Sequence, residues 1–214
     1  MRTADLFDTS LADALRGSGL TVLPRFALSF EQGLLEEVGR VAREAPFRHM
    51  MTPGGQPMSV AMTNCGTAGW VTDRSGYRYE PLDPQSARPW PTMPHAFASL
   101  AGQAAARAGF GTFEPDACLI NCYVPGARMS LHQDRDERDF GEPIVSVSLG
   151  LTATFLWGGA RRADRPLRIP LSHGDVVVWG GPGRLMFHGV APLPDGWHER
   201  LGRRRINLTL RRAL

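Results

Sequence analysis

The stretch "ACLINCYVPGARMSLHQDRDERDFGEPIVSVSLG", Ala117–Gly150, holds two apolar runs separated by a polar loop. "ACLINCYV" reads as a strand of about eight residues, a common strand length, that stops at the turn Pro125–Gly126. "PIVSVSLG" alternates Val145, Val147 and Leu149 against Ser146, Ser148 and Gly150, so its two faces differ in polarity. The segments that follow share this character. "ATFLWGG" ends in a glycine turn, "LRIPL" precedes the turn Ser172–His173–Gly174, and "DVVVWGG", "RLMFHGV" and "RRINLTLRR" close the series. Short strands at near-regular spacing, with no helical period between them, predict a double-sheet roll or barrel. A parallel dinucleotide-binding sheet would need intervening helices, and no G-x-G-x-x-G is present.

Upstream of this β region the pattern changes. "LTVLPRF" reads as a strand. Ser29 has the spacing of an N-cap, with Gln32 three residues on. Leu34, Leu35, Val38, Val41 and Ala42 then recur at helical intervals until Pro46. A second helix opens after Pro94, carries Phe97, Leu100, Ala101, Ala104 and Ala105, and stops near Gly109. Between the helices, residues 46–93 carry prolines at 46, 53, 57, 81, 84, 89 and 91, which exclude long helices. The same segment holds Met58, Met62, Trp70, Tyr77, Tyr79 and Trp90, too aromatic for a disordered linker. It reads as an ordered binding lid inserted in one domain, residues 19–214, behind a lead-in of residues 1–18. A small satellite core with its own hairpins is the alternative.

The chain has 214 residues, 43% apolar and 21% charged, enough for one sizeable core. No apolar run reaches the roughly 20 residues of a membrane span. The opening "MRTADLFDTSLADALRG" has acids where a signal peptide would be apolar, so a cytoplasmic location is expected, with a monomer as the default state. Three cysteines, Cys65, Cys118 and Cys122, are too few for a disulfide framework and read as buried thiols in a reducing compartment. The net charge is +3, and every basic residue is arginine. The lack of lysine rules out a Schiff-base or phosphate-loop lysine. Each basic site is instead a planar fork suited to carboxylates and phosphates.

Chemistry concentrates in "SLHQDRDE", Ser130–Glu137. Residues two apart on an extended strand end share a face, so His132 and Asp134 can converge on one cation. His188, just before Gly189, can return on a neighbouring strand as a third ligand. Two histidines and one carboxylate on one face leave positions open, the arrangement of non-haem Fe(II) oxygenases. An isolated H-x-D is common in solvated turns, so the set needs corroboration. It comes from "RRRINLTLRR": Arg205, Asn207, Thr209 and Arg211 alternate with Ile206, Leu208 and Leu210. In a roll, the polar face points inward, and inward guanidiniums without matching acids call for a small anion such as a dicarboxylate. Asn121 and Tyr123 offer an amide and a phenol to the same cavity. The alternative is an arginine-rich strand face turned to solvent.

Together, "TPGGxxMSVAMTNCG", "DACLINxYxPGAxxSLHQDxDE", "PIVSVSLG", "HGDVVVWGG" and "RxNLTxR" closely resemble the AlkB family of Fe(II)/2-oxoglutarate-dependent dioxygenases, which repair alkylated nucleic acid. The resemblance runs from about residue 20 to the C-terminus. It implies a mainly β fold with flanking α-helices, in which a double-stranded β-helix (jelly-roll) core carries an N-terminal nucleotide-recognition lid. It also implies iron on His132, Asp134 and His188, and 2-oxoglutarate in a cradle of Asn121, Tyr123, Arg205, Asn207 and Arg211. Arg205 would meet the far carboxylate and Arg211 the near one. Trp70 and His132 would sandwich a flipped base, Tyr77, Arg78 and Tyr79 would hold phosphate and base edge, Asp136 would favour a cationic base, and Arg162 would reach substrate. The implied reaction consumes O2 and 2-oxoglutarate and releases succinate and CO2. An N-methyl group of the 1-methyladenine or 3-methylcytosine type is hydroxylated and lost as formaldehyde. The implied partner is alkylated DNA, single- or double-stranded, with RNA as a further candidate.

Three other readings compete. A dioxygenase acting on a protein side chain or small metabolite would keep the metal and dicarboxylate residues without needing Trp70, Tyr77 and Asp136. A basic nucleic-acid-binding roll would survive loss of iron. A zinc hydrolase would leave the arginine strand unexplained.

Overall fold

The computed structural model describes Leu15 and residues 17–214, so most of the expected lead-in, residues 1–18, lies outside the described residues. The elements run β1 (Leu20–Leu23), a 3-10 helix (Phe26–Phe30), α1 (Glu31–Glu44), β2 (Arg48–Met51), β3 (Pro57–Gly66), β4 (Gly69–Asp73), β5 (Gly76–Glu80) and α2 (His95–Arg107). The second half is strands apart from a short 3-10 turn, Gly181–Gly183: β6 (Ala117–Tyr123), β7 (Met129–His132), β8 (Ile144–Gly150), β9 (Ala153–Trp157), β10 (Leu167–Leu171), β11 (Val176–Trp179), β12 (His188–Val190) and β13 (Arg205–Arg211).

Seven strands form one sheet in the order β1-β11-β8-β13-β6-β3-β2, and four form a second, β10-β9-β12-β7. Neighbours pair antiparallel throughout both. Alternation along the central strands sorts their side chains. Val145, Val147 and Leu149 of β8 and Ile206, Leu208 and Leu210 of β13 pack with Leu34, Val38 and Val41 of α1 and Phe97, Leu100 and Ala101 of α2. The helices therefore cover the outer face of the large sheet. Ser146, Ser148, Arg205, Asn207, Thr209 and Arg211 occupy the other face, all buried. The arginine-bearing face of the last strand is thus turned inward, as the alternation predicts. This is the jelly-roll arrangement, with α1 and α2 flanking it.

Several expectations are corrected. "LTVLPRF" ends as a strand at Leu23 and turns into the 3-10 helix. Ser29 lies inside that helix and caps nothing; the residue at the start of α1 is Phe30, with no side-chain cap. The 3-10 turn runs straight into α1, so the backbone never takes the extended conformation a side-chain cap requires. The C-terminal end is held instead by Thr63, whose hydroxyl donates to the Ala45 carbonyl at 2.6 Å. The segment 46–93 is divided between the large sheet and a separate hairpin. β2 and β3 belong to the large sheet, β3 pairing with β6 from Ala61↔Cys122 to Gly66↔Ala117. Only the β4–β5 hairpin stands apart. Proline tolerates this because Pro57 opens β3, where no ladder donor is required. "RLMFHGV" is a strand only from His188 on, so that histidine begins the strand. Cys65 and Cys118 are buried free thiols facing each other across β3 and β6, and Cys122 is partly exposed. Among the described residues, no helix is long and apolar enough to cross a membrane.

Candidate active site

The two sheets present opposite halves of one cavity. β7 and β12 pair so that His132 and His188 are direct cross-strand partners, their ring centroids 4.5 Å apart. That approach depends on Gly189, where a Cβ would lie 2.6 Å from the Met129 carbonyl oxygen. Asp134 stands two residues beyond β7, in the loop rather than on the strand. Its carboxylate nonetheless reaches both rings, 3.6 Å from His132 Nε2 and 3.6 Å from His188 Nε2. The ligand atoms of all three lie within 4.8 Å of one another.

The far side of each ring sets its chemistry. His132 Nδ1 donates to the Ser130 carbonyl at 2.9 Å, and His188 Nδ1 to the Met186 carbonyl at 3.0 Å. With the proton fixed on Nδ1, each Nε2 lone pair is bare and aimed inward, as a metal ligand requires. Burial, with the neighbouring His188, pushes His132 down to about 4, so the ring is neutral at physiological pH. Burial alone would raise the Asp134 carboxyl, but Arg211 and the two imidazoles hold it well below the usual carboxylate range. A preformed set of two neutral imidazoles and one carboxylate, short of protons and clustered, fits a divalent iron.

This arrangement has a stability consequence. His132 in the folded chain takes its proton only near pH 4, against an ordinary value of 6.5. Burial and the adjacent His198 lower His173 as well. The unfolded chain therefore binds more protons across that window, and metal-free protein should lose stability as pH falls from about 6.5 towards 4. Because 37% of the His132 side chain is exposed, solvent softens the effect. Melting curves of the metal-free protein across this range check it, and His132→Gln should flatten part of the slope.

Opposite the metal cluster lies the inner face of β13 and β6. Arg205 is 2% exposed. Its Nη2 donates to Ser148 Oγ at 3.0 Å, its guanidinium lies 5.0 Å from the centre of the Tyr123 ring, and its Nε and Nη1 have no partner among the described residues. No carboxylate pairs with it among the described residues, and burial lowers its hold on its proton. Arg211 differs. Its Nη2 and Nε donate to Asp134 at 2.8 and 3.1 Å, Glu137 lies 3.3 Å away, and Nη1 is unpartnered. The expectation of two inward arginines without acids thus holds for Arg205 alone, since the loop after β7 folds its acids back onto Arg211. Asn207 is fixed by Ser146 Oγ at 2.8 Å and the Val147 carbonyl at 3.0 Å, and Asn121 donates to its side-chain oxygen at 3.4 Å. Asn121, Tyr123, Arg205, Asn207 and Arg211 line one cavity shared with His132, Asp134 and His188. Buried guanidinium nitrogens without partners are costly unless a ligand fills them. A small diacid spanning Arg205 and Arg211 would do so.

The hairpin is tied to the loop that follows β7. Trp70 stacks on Tyr77 with centroids 5.6 Å apart, and its Nε1 donates to Asp136 at 2.8 Å. Tyr79 is cross-strand from Trp70 and donates its hydroxyl to Glu137 at 2.7 Å. Tyr79 is therefore tied to the buried acid rather than presented to a phosphate. Arg78 points to the opposite face of the hairpin and is neutralised by Asp73 at 2.9 Å and Glu80 at 2.6 Å. The reason is the period of two, which cannot put Arg78 on the face of its neighbours Tyr77 and Tyr79. Arg162 is exposed and lies 5.3 Å over Phe187, the residue before His188, with no ion pair among the described residues.

A family model described as the 2OG-Fe(II) oxygenase superfamily matches residues 19–211. The chain belongs to that superfamily. It is 57% identical, over 91% of its own length and 90% of the relative's, to the alpha-ketoglutarate-dependent dioxygenase AlkB of Salmonella typhimurium. Mouse nucleic acid dioxygenase ALKBH1 is 36% identical over 59% of this chain and 33% of its own. The solved structure of OsALKBH1 superposes with a TM-score of 0.81 at 27% identity, covering 91% of this chain and 97% of that one. As a 2OG-Fe(II) oxygenase, the chain is a dioxygenase that uses iron, 2-oxoglutarate and O2, and His132, Asp134 and His188 are its metal-binding triad.

Sequence reasoning missed four residues of this site. Ser146 and Ser148 orient Asn207 and Arg205, and their signal was available in the alternation of "PIVSVSLG". Glu137 and Arg184, a buried ion pair at 3.1 Å, carry no periodic signal, because each lies in irregular backbone.

Proposed function

We propose that the enzyme oxidatively demethylates N-alkylated nucleobases in DNA, with RNA as a second substrate, as a cytoplasmic monomer. Bound iron and 2-oxoglutarate supply an O2-dependent hydroxylation of a C–H bond, with succinate and CO2 released. In this reading Arg205 holds the far carboxylate of the co-substrate through its free nitrogens, and Arg211 Nη1 meets the near one. Asn121, Tyr123 and Asn207 shape the walls between them. Trp70 and His132 hold the flipped base from either side, each stacking contact on the base worth about 1–3 kcal/mol. Tyr77 extends the platform, and Arg162 steadies the strand. The free thiols support a reducing compartment.

The observation that carries the reading is charge. Asp134 and Glu137 are matched by Arg211 and Arg184, four buried groups that sum to zero. Asp136 is the acid left over, exposed and joined to the stacking indole. A methyl group on N1 of adenine or N3 of cytosine makes the base cationic, and Asp136 complements that charge. A neutral side chain or metabolite would gain nothing from it. The mouse relative's name, nucleic acid dioxygenase, supports the same class.

Anaerobic reconstitution with Fe(II) and 2-oxoglutarate, then addition of O2 and an oligonucleotide carrying 1-methyladenine, tests this. Restored adenine and stoichiometric formaldehyde are expected. Succinate release that the oligonucleotide fails to stimulate would favour a protein or metabolite substrate. Asp136→Asn should raise KM for the cationic lesion roughly 5- to 30-fold, the size of one exposed-to-partly-buried charge contact. The same change should alter turnover of a neutral alkylated base far less.

A further inference from the structure

Arg184 is a buried cation that the proposed chemistry does not use. It follows the short 3-10 turn Gly181–Gly183, four residues before His188, and is 3% exposed. Its nitrogens reach three points on the loop after β7. Nη1 donates to the Asp134 carbonyl at 2.6 Å, Nη2 to the Glu137 carboxylate at 3.1 Å, and Nε to the Glu142 carbonyl at 3.1 Å. Phe140 covers the guanidinium at 5.2 Å. Only a planar fork can serve three acceptors spread over nine residues of loop, and a point charge cannot. Gln133 adds a tie in the other direction, donating its amide to the Leu185 carbonyl at 2.6 Å.

The loop held in this way carries the metal carboxylate, Asp136 and Glu137. It has no strand pairing of its own between Gln133 and Pro143. Asp134 is gripped at two ends: Arg184 holds its main-chain oxygen and Arg211 its carboxylate. Since Arg184 and His188 share one short segment, the fork also fixes the distance between the segment bearing the second metal histidine and the loop bearing the metal acid. Glu137 extends the same network to Tyr79 on the hairpin.

We infer that Arg184 is a positioning residue, which sets the metal carboxylate against the two histidines and Asp136 against the base without itself touching the metal or the base. The inference rests on the assignment of His132, Asp134 and His188 as the metal site. Groups that orient metal ligands change metal affinity by about 10- to 100-fold when lost.

The test is Co(II) binding to the full chain without O2, followed by visible absorption, for wild type, Arg184→Met, Arg184→Lys and His132→Ala, beside their melting temperatures. Arg184→Met should bind Co(II) about 10- to 100-fold more weakly and release succinate in excess of formaldehyde. Arg184→Lys restores a charge opposite Glu137 and should melt near wild type, yet keep the weakened Co(II) binding and the excess succinate. Should the methionine variant fail to fold, the lysine variant carries the test alone. Wild-type Co(II) affinity with wild-type succinate-to-formaldehyde stoichiometry in folded Arg184→Lys overturns the inference. Wild type that binds Co(II) no better than His132→Ala overturns the metal assignment itself.

Discussion

Asp134→Ala should abolish iron-dependent turnover and destabilise the fold at once. The carboxylate has two jobs. It sits 3.6 Å from each inward imidazole nitrogen and receives two hydrogen bonds from Arg211. Removing it takes the only acid from the metal set and strips a buried guanidinium of its nearest counter-charge. Losing one partner of a buried ion pair costs about 3–5 kcal/mol. Glu137, 3.3 Å from Arg211, should keep the loss towards the lower end. Asp134→Asn separates the two jobs: its amide oxygen still accepts from Arg211, so part of the stability returns, while metal binding does not. Melting temperature and Co(II) titration, measured side by side, read the two effects. Turnover retained in the alanine variant would remove Asp134 from the metal set.

Arg205→Met should do the opposite to stability. In the protein without co-substrate, this guanidinium is buried with two nitrogens unpartnered and no acid beside it among the described residues. Replacing it with an apolar chain of similar length relieves that burden, so the variant should melt higher than wild type when both lack 2-oxoglutarate. Adding 2-oxoglutarate with Mn(II) should stabilise wild type strongly and the variant hardly at all. Losing one partner of a buried, hydrogen-bonded charge pair weakens binding by about 2–5 kcal/mol, so KM for 2-oxoglutarate should rise about 30-fold or more. The turnover number at saturation should change less, because the contact is present in ground and transition states alike. A variant that melts lower, with unchanged affinity for the co-substrate, would make Arg205 a structural residue.

Much of this is legible in the sequence. The period of two in β8 and β13 separated a helix-facing apolar side from an inward polar side, and both faces lie where the alternation puts them. The H-x-D spacing and the glycine after His188 marked the three metal-binding side chains, because ligands need particular atoms at short range and those residue types are few. Less of the hairpin could be read. Tyr77, Arg78 and Tyr79 are neighbours in sequence, yet the pleat sends Arg78 to the other side, where Asp73 and Glu80 neutralise it. The proline-rich segment hid two strands of the main sheet, since β3 pairs with β6, more than fifty residues downstream, and β2 joins the sheet through β3.

By itself the sequence determined which residues are apolar on one face and polar on the other, and which side chains can bind a metal or an anion, since these follow from residue type and local period. Only the tertiary structure decided how the charges are paired. Arg211 found Asp134 and Glu137, Arg184 found the loop, Tyr79 turned to Glu137, and Arg205 was left with no acid among the described residues. Pairing depends on which atoms meet across strands and loops far apart in the chain, and no local pattern encodes that distance.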